Sequence, residues 1–205
     1  MSIIVIMISY LIGAVPTAYV IGRVFRGIDL REHGSGNLGA TNAFRVMGAR
    51  LGAATLVVDI GKGVLAVGLG SWASGPAELP LVAGLAAIVG HNWPVYLRFR
   101  GGKGVATSAG VFLSLLPVSS LCALVAFGLV LWKWSYVSLA SIVAAGILPL
   151  AAAAQLLTTA IDPLTPARLA LAVLAGVLVI LRHGANIGRL RRGQEKKIVF
   201  SQDKS

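Results

Sequence analysis

Long, nearly charge-free apolar runs decide what this chain can fold into. Seven can be drawn: Ser2–Gly22, Leu51–Ala73, Leu79–Leu97, Val105–Leu116, Val118–Trp132, Tyr136–Leu157 and Arg168–Leu181. A helix needs roughly 20 apolar residues to cross a hydrocarbon core about 30 Å thick. A soluble core has no need of such runs, and 12% charged residues is far below the roughly 25% of soluble domains. The expected fold is therefore an all-α, polytopic integral membrane helix bundle, with residues 1–205 as one domain. The first run is too long for a signal-peptide core and lacks a basic start, so it reads as a retained span. The fourth and fifth runs are short and meet at Pro117. They predict either two short helices or one kinked span, so hydropathy alone allows five, six or seven crossings.

Loop charge favours seven. With the N-terminus outside, 16 of the 18 basic residues fall on the inner side, among them Arg23, Arg26, Arg31, Arg45, Arg98, Lys103, Lys133, Arg182, Arg189 and Lys204. The outer loops carry Glu78 and Asp162. This is the positive-inside pattern, with the C-terminus cytoplasmic. It also disposes of a nucleic-acid reading of the +11 net charge, because the basic residues sit in short loops and not on a soluble basic face. The lone Cys122 excludes an internal disulfide.

Three glycine-rich polar islands interrupt the apolar pattern: His33 to Asn42, Arg98 to Thr107, and Arg182 to Arg189. The first, Gly34-Ser35-Gly36-Asn37-Leu38-Gly39, formally matches a dinucleotide fingerprint, but no βαβ unit can surround it. Its physical content survives: glycines let backbone N–H groups converge on an oxyanion, and Ser35, Asn37, Thr41 and Asn42 add side-chain donors. A helix beginning near Gly39 sets Thr41 and Arg45 on one face. In the second island, Gly101-Gly102-Lys103-Gly104 is not a Walker motif, since Leu97 and Gly104 stand where Gly and Ser/Thr belong. It opens the fourth segment, so its N–H groups face any bound anion, with Lys103 for charge and Thr107 for a hydroxyl. The third island sets His183, Asn186 and Arg189 on a single helical stripe. By the charge count, all three islands face the cytoplasm.

Other polar residues carry weaker signals. His91 and Asn92 end the third segment and serve either the site or the loop backbone. Ser135, Ser138 and Ser141 recur every third residue, a pattern that usually allows close helix packing; Ser141 is the one expected to reach the site. Asp59 and Lys62 share a helical face inside the second segment, either as an internal pair or at the site. No metal-ligand cluster, nucleophile elbow or Ser-His-Asp set is visible, and no metal or other cofactor is expected. Donors and cations are present without an obvious nucleophile.

Four motifs in order resemble the bacterial membrane acyl-phosphate:glycerol-3-phosphate acyltransferases, the PlsY family. They are Gly34-Ser35-Gly36-Asn37-x-Gly39-Ala40-Thr41-Asn42 with Arg45; Gly90-His91-Asn92-Trp93-Pro94; Gly101-Gly102-Lys103-Gly104-Val105-Ala106-Thr107; and Arg182-His183-x-x-Asn186-Ile187-x-Arg189-Leu190 with Gly193 and Glu195. Gly184 departs from the pattern, occupying a place that is often basic in relatives. The resemblance implies acyl transfer from acyl-phosphate to the 1-hydroxyl of glycerol 3-phosphate, releasing inorganic phosphate and lysophosphatidic acid. It implies seven spans in the bacterial inner membrane, with a site at the cytoplasmic leaflet and a monomer as the working unit. It assigns Ser35, Arg45 and Lys103 to phosphate handling and Gly101, Gly102 and Gly104 to the glycerol 3-phosphate site. His183 and Asn186 would complete that site, and Glu195 would be structural. Gly36, Asn37, Gly39, Thr41, Asn42, His91, Asn92, Thr107 and Ser141 are the remaining expected substrate contacts.

Overall fold

Pro16 cuts the first apolar run in two. The run was expected as one span over Ser2–Gly22; the computed structural model instead has α1 (Ser2–Ala14) and α2 (Thr17–Arg26), bent by 42° at the break. The physical reason is proline: it lacks an N–H and disfavours helical geometry at the residue before it, and Val15 accordingly has ψ 115°. The structure describes residues 1–158 and 165–198; the expected outer-loop Asp162 and the tail Lys204 lie outside them.

Among the described residues every regular element is helical. After α2 come α3 (Ala40–Met47), α4 (Ala49–Trp72), α5 (Leu79–Asn92) and α6 (Val105–Leu115), which with α1 and α2 make one compact unit, Met1–Leu115. A second unit begins at Leu116 and holds α7 (Pro117–Trp134), α8 (Val137–Thr158), α9 (Pro166–Arg182) and α10 (Gly184–Arg191). All seven predicted segments are helical. Pro117 resolves the ambiguity of the fourth and fifth by opening α7 at a first-turn position that tolerates proline. Among the described residues, α4, α7 and α8 are by length and composition long enough to cross a membrane; counting each bent pair, α1 with α2 and α9 with α10 (57°), as one span brings the number to five. At 14 and 11 residues, α5 and α6 are shorter than a straight span.

Apolar side chains cover the outside: Ile3, Ile4 and Met7 on α1, and Leu121, Val125 and Leu129 on α7, are all exposed. Without water to drive apolar burial, helices in lipid associate by close van der Waals contact, which favours small residues at the seams. Two seams in the first unit are reciprocal glycine contacts. Between α1 and α5, a Cβ on Gly13 would lie 2.1 Å from the Ala87 carbonyl oxygen, and one on Gly90 2.2 Å from that of Tyr10. Between α4 and α6, a Cβ on Gly63 would lie 2.2 Å from the Thr107 oxygen, and one on Gly110 2.0 Å from that of Ile60. At the polar end, Ala18, Leu30, Leu38, Ala43 and Met47 form a small core under the first island.

These seams predict a position-specific response to one methyl group. Gly110→Ala should lower the unfolding temperature in detergent, at a cost of about 1–3 kcal/mol for overpacking. Gly61→Ala, on α4 with nothing within 4 Å of its Cβ position, should leave it unchanged or slightly raised. Equal losses at both positions would show that the seam is not tight.

Candidate active site

The first island is a loop tied around one buried amide. Asn42 is 1% exposed. Its Oδ1 accepts from the Ser35 N–H at 2.9 Å, and its Nδ2 donates to the carbonyls of His33 at 3.0 Å and Leu30 at 3.4 Å. Gly34 (φ 66°) and Gly36 (φ 69°) supply left-handed backbone, and a Cβ on Gly34 would strike Asn42 Oδ1 at 2.2 Å. Asn37 Oδ1 accepts from the Gly39 N–H at 2.9 Å, just where α3 begins. Asn42, expected as a substrate contact, thus has its amide engaged within the loop. The Ser35 side chain and Arg45 are exposed, and Thr41 lies one turn before Arg45 on α3.

Asp29, which the sequence reading did not single out, anchors this island from below. It is 3% exposed, pairs with Arg31 at 2.6 Å and Arg23 at 3.1 Å, and caps the short turn Leu30–Glu32. Hydrogen bonding from the Arg31 guanidinium holds its carboxyl well below the usual carboxylate range. An acidic residue among Arg23, Arg26 and Arg31 was the available signal.

The second island lies on the end of α5. The Gly102 N–H donates to the His91 carbonyl at 3.1 Å. A Cβ on Gly101 would lie 2.2 Å from the His91 carbonyl oxygen, one on Gly102 2.1 Å from His91 Nε2, and one on Gly104 2.8 Å from Asn92 Oδ1. Only a chain without side chains can approach this closely. Lys103 is half-buried at the tip, and the loop runs directly into α6, where the Ser108 N–H bonds to the Gly104 carbonyl. His91, Asn92 and Thr107 are all buried; neither the Asn92 amide nor the Thr107 hydroxyl has a hydrogen-bond partner. Asp59 and Lys62 form an internal pair, Oδ1 to Nζ 2.7 Å, at 1% and 5% side-chain exposure.

In the second unit the third island is organised by Glu195. One carboxylate oxygen, Oε1, accepts from Asn186 Nδ2 at 2.6 Å and Ser138 Oγ at 2.8 Å; the other accepts from Arg189 Nε at 2.7 Å. Burial pushes this carboxyl up, but the Asn186, Ser138 and Arg189 donors outweigh it and hold it below the ordinary value. The expected single stripe is broken. His183 caps α10 at the 57° bend, leaving Asn186 and Arg189 on α10 itself. His183 is 3% exposed, and its Nδ1 lies 2.7 Å from the Val179 carbonyl. A carbonyl can only accept, so Nδ1 carries a proton. The Ser141 hydroxyl donates back to the Val137 carbonyl at 2.8 Å.

Chemically, these loops offer hydroxyls and cations suited to phosphate groups, while the Ser35, Gly36, Gly39 and Gly102 N–H groups are engaged within the loops themselves or with His91. Among the described residues, no three His, Cys, Asp or Glu side chains gather as metal ligands. A family model described as glycerol-3-phosphate acyltransferase matches residues 3–193. The chain is 45% identical over 198 residues to a glycerol-3-phosphate acyltransferase of Desulforudis audaxviator, covering 97% of this chain and 96% of the relative. It is 44% identical to the one from Fusobacterium nucleatum, with 95% and 97% covered. Among solved structures, it is similar to PlsY, an integral membrane glycerol 3-phosphate acyltransferase, in its glycerol 3-phosphate form. That likeness has a TM-score of 0.85 and 35% identity, with 97% and 96% covered. The lysophosphatidic acid form gives 0.82 and 34%, with 97% and 95% covered.

The two depressed carboxyls fix the sign of an acid response. Stability from Asp29 and Glu195 is present above the ordinary carboxyl range, near pH 4, and is lost as pH falls through their lower folded values. Glu195→Gln should cost about 1.5–3 kcal/mol at neutral pH by weakening the charged hydrogen bonds. It should also flatten the fall in unfolding temperature on acidification. An unchanged acid slope in this variant would remove Glu195 from the account.

Proposed function

The chain belongs to the glycerol-3-phosphate acyltransferase family, and on that premise we propose that its acyl donor is acyl-phosphate. The acceptor is the 1-hydroxyl of sn-glycerol 3-phosphate, and the products are lysophosphatidic acid and inorganic phosphate. The observation that carries this reading is the Gly101–Gly104 loop. It is seated glycine by glycine on His91 and Asn92, with Lys103 at its tip and α6 starting behind it. Such a loop brings one fixed charge and the N-terminus of α6 to a phosphate, the Gly102 N–H itself being held by the His91 carbonyl.

An acyl phosphate is a mixed anhydride, so the protein has no need to build a nucleophile. The glycerol hydroxyl oxygen attacks the acyl carbon, the bond from that carbon to the bridging phosphate oxygen breaks, and the hydroxyl proton leaves on phosphate. Holding the reactants in line is the main task, and proximity of this kind is worth many orders of magnitude in rate. Ser35, Arg45 and Lys103 take the phosphates, with Gly36, Asn37, Gly39 and Thr41 shaping the first loop and Asn42 securing it. Cations at these positions stabilise charge on the carbonyl oxygen and the leaving phosphate. His183 and Asn186 serve the same reaction, Glu195 holds Asn186 in place, and residues 1–205 act as one catalytic domain. The protein works as a monomer without cofactor. It crosses the inner membrane seven times with the N-terminus outside, α5 and α6 being the short spans, and the polar islands face the cytoplasm.

Purified protein in detergent, given acyl-phosphate and labelled glycerol 3-phosphate without coenzyme A, nucleotide or metal, should release labelled lysophosphatidic acid. No product there would sink the proposal, and uptake of glycerol 3-phosphate by vesicles without acylation would point to transport. Substrate phosphate as the base is tested by single turnover at saturation. His183→Gln should retain more chemistry than His183→Ala; if both lose it equally while still binding substrate, histidine is the base.

A further inference from the structure

Three buried groups join the broken first helix to the underside of the glycine loop. Lys62 Nζ donates to the carbonyls of Gly13 at 3.2 Å and Val15 at 2.9 Å, both within three residues of the Pro16 break, where Val15 also accepts from the Thr17 N–H at 3.0 Å. Its partner Asp59 accepts from the Thr17 hydroxyl at 2.8 Å, on the first residue after the break. One ion pair on α4 therefore grips both sides of the cut. The same ammonium lies 3.4 Å from His91 Nδ1, and the other ring nitrogen of His91 supports Gly102. A small cleft marks the junction, lined by Val15, Pro16 and Thr17 of the break, Leu38 of the first island, and Gly101 and Gly102 of the second.

A pair kept only for stability is a poor bargain here. Burying two charges in an apolar bundle costs several kcal/mol each, and well-packed apolar residues often do as well or better. The pair is not even fully satisfied, since Asp59 Oδ2 has no hydrogen-bond partner. What an apolar substitute lacks is direction: it cannot hold two carbonyls, a hydroxyl and an imidazole at fixed angles. We propose that Asp59, Lys62 and His91 are positioning residues that fix the Gly101–Gly104 loop, and with it the place of Lys103, against the helix break. The inference rests on the loop being the glycerol 3-phosphate site.

The test uses the full-length protein in detergent and separates KM from kcat for each substrate. Removing one charge strands the other, so the informative variant is the neutral pair Asp59→Asn/Lys62→Met, which should fold better than Lys62→Met alone. KM for glycerol 3-phosphate should rise about 10- to 100-fold, the scale of a misplaced binding element, while kcat and the KM for acyl-phosphate change less than about threefold. His91→Ala should move the same parameter, and His91→Asn, which keeps an acceptor near the Nδ1 position, should recover part of the loss. A folded pair variant and a folded His91→Ala with unaltered KM for glycerol 3-phosphate would overturn the proposal. So would parallel losses in both substrates that follow the unfolding temperature. If the pair variant does not fold, His91→Ala and His91→Asn decide. Gly102→Ala is the control on the premise: should it leave KM for glycerol 3-phosphate unchanged, the loop reading fails first and the positioning role falls with it.

Discussion

A helix broken inside an apolar bundle leaves carbonyl oxygens that neither water nor lipid can satisfy, and this chain answers with Lys62. In hydrocarbon each such group costs several kcal/mol if left unpaired. The ammonium on α4 takes the Gly13 and Val15 carbonyls, and Asp59 beside it takes the Thr17 hydroxyl. That contact makes the Pro16 break tolerable, and the break turns α2 out of the line of α1. The short core of Ala18, Leu30, Leu38, Ala43 and Met47, and the first polar loop above it, follow from that turn.

Close approach of backbone does the rest in the first unit. The glycine contacts between α1 and α5 and between α4 and α6 bring main chains together where a single methyl would not fit. At the end of α5 the same device changes purpose. The loop of Gly101, Gly102 and Gly104 lies directly on His91 and Asn92, so its backbone is placed by contact and not by side-chain bulk. The second unit uses a different solution, one carboxylate accepting from three donors, with the tail secured by the Ile198 N–H bonded to the Ser135 carbonyl.

Much of this was legible in the sequence, because bilayer physics leaves few options. Apolar runs had to become helices, and Leu51–Ala73 and Arg168–Leu181 did so within a few residues of their expected ends. The glycine islands stood out because they are the only places where dense donors interrupt those runs. What was hidden depended on side-chain direction. Hydropathy reads straight through Pro16, whose cost falls on two carbonyls that say nothing in sequence. Asn42 looked like one donor among several, and only the fold shows its amide engaged inside the loop. The His183, Asn186 and Arg189 spacing suggested one stripe; the bend at His183 removes the first member from the helix.

The fate of the carboxylates constrains the chemistry most. The chain has seven acidic residues, and the three least exposed among those described each face a cation: Asp29 meets Arg23 and Arg31, Asp59 meets Lys62, and Glu195 meets Arg189. A carboxylate held ionised by several hydrogen-bond donors is a weak base, because protonation must first disrupt those bonds. Asp29 and Glu195 are both of this kind, and the other two described, Glu32 and Glu78, are exposed. The protein has therefore committed its least exposed anions to holding cations and helix ends. In the proposed reaction, that leaves the substrate phosphates, themselves anionic, and after them the His183 imidazole as the groups to take the hydroxyl proton.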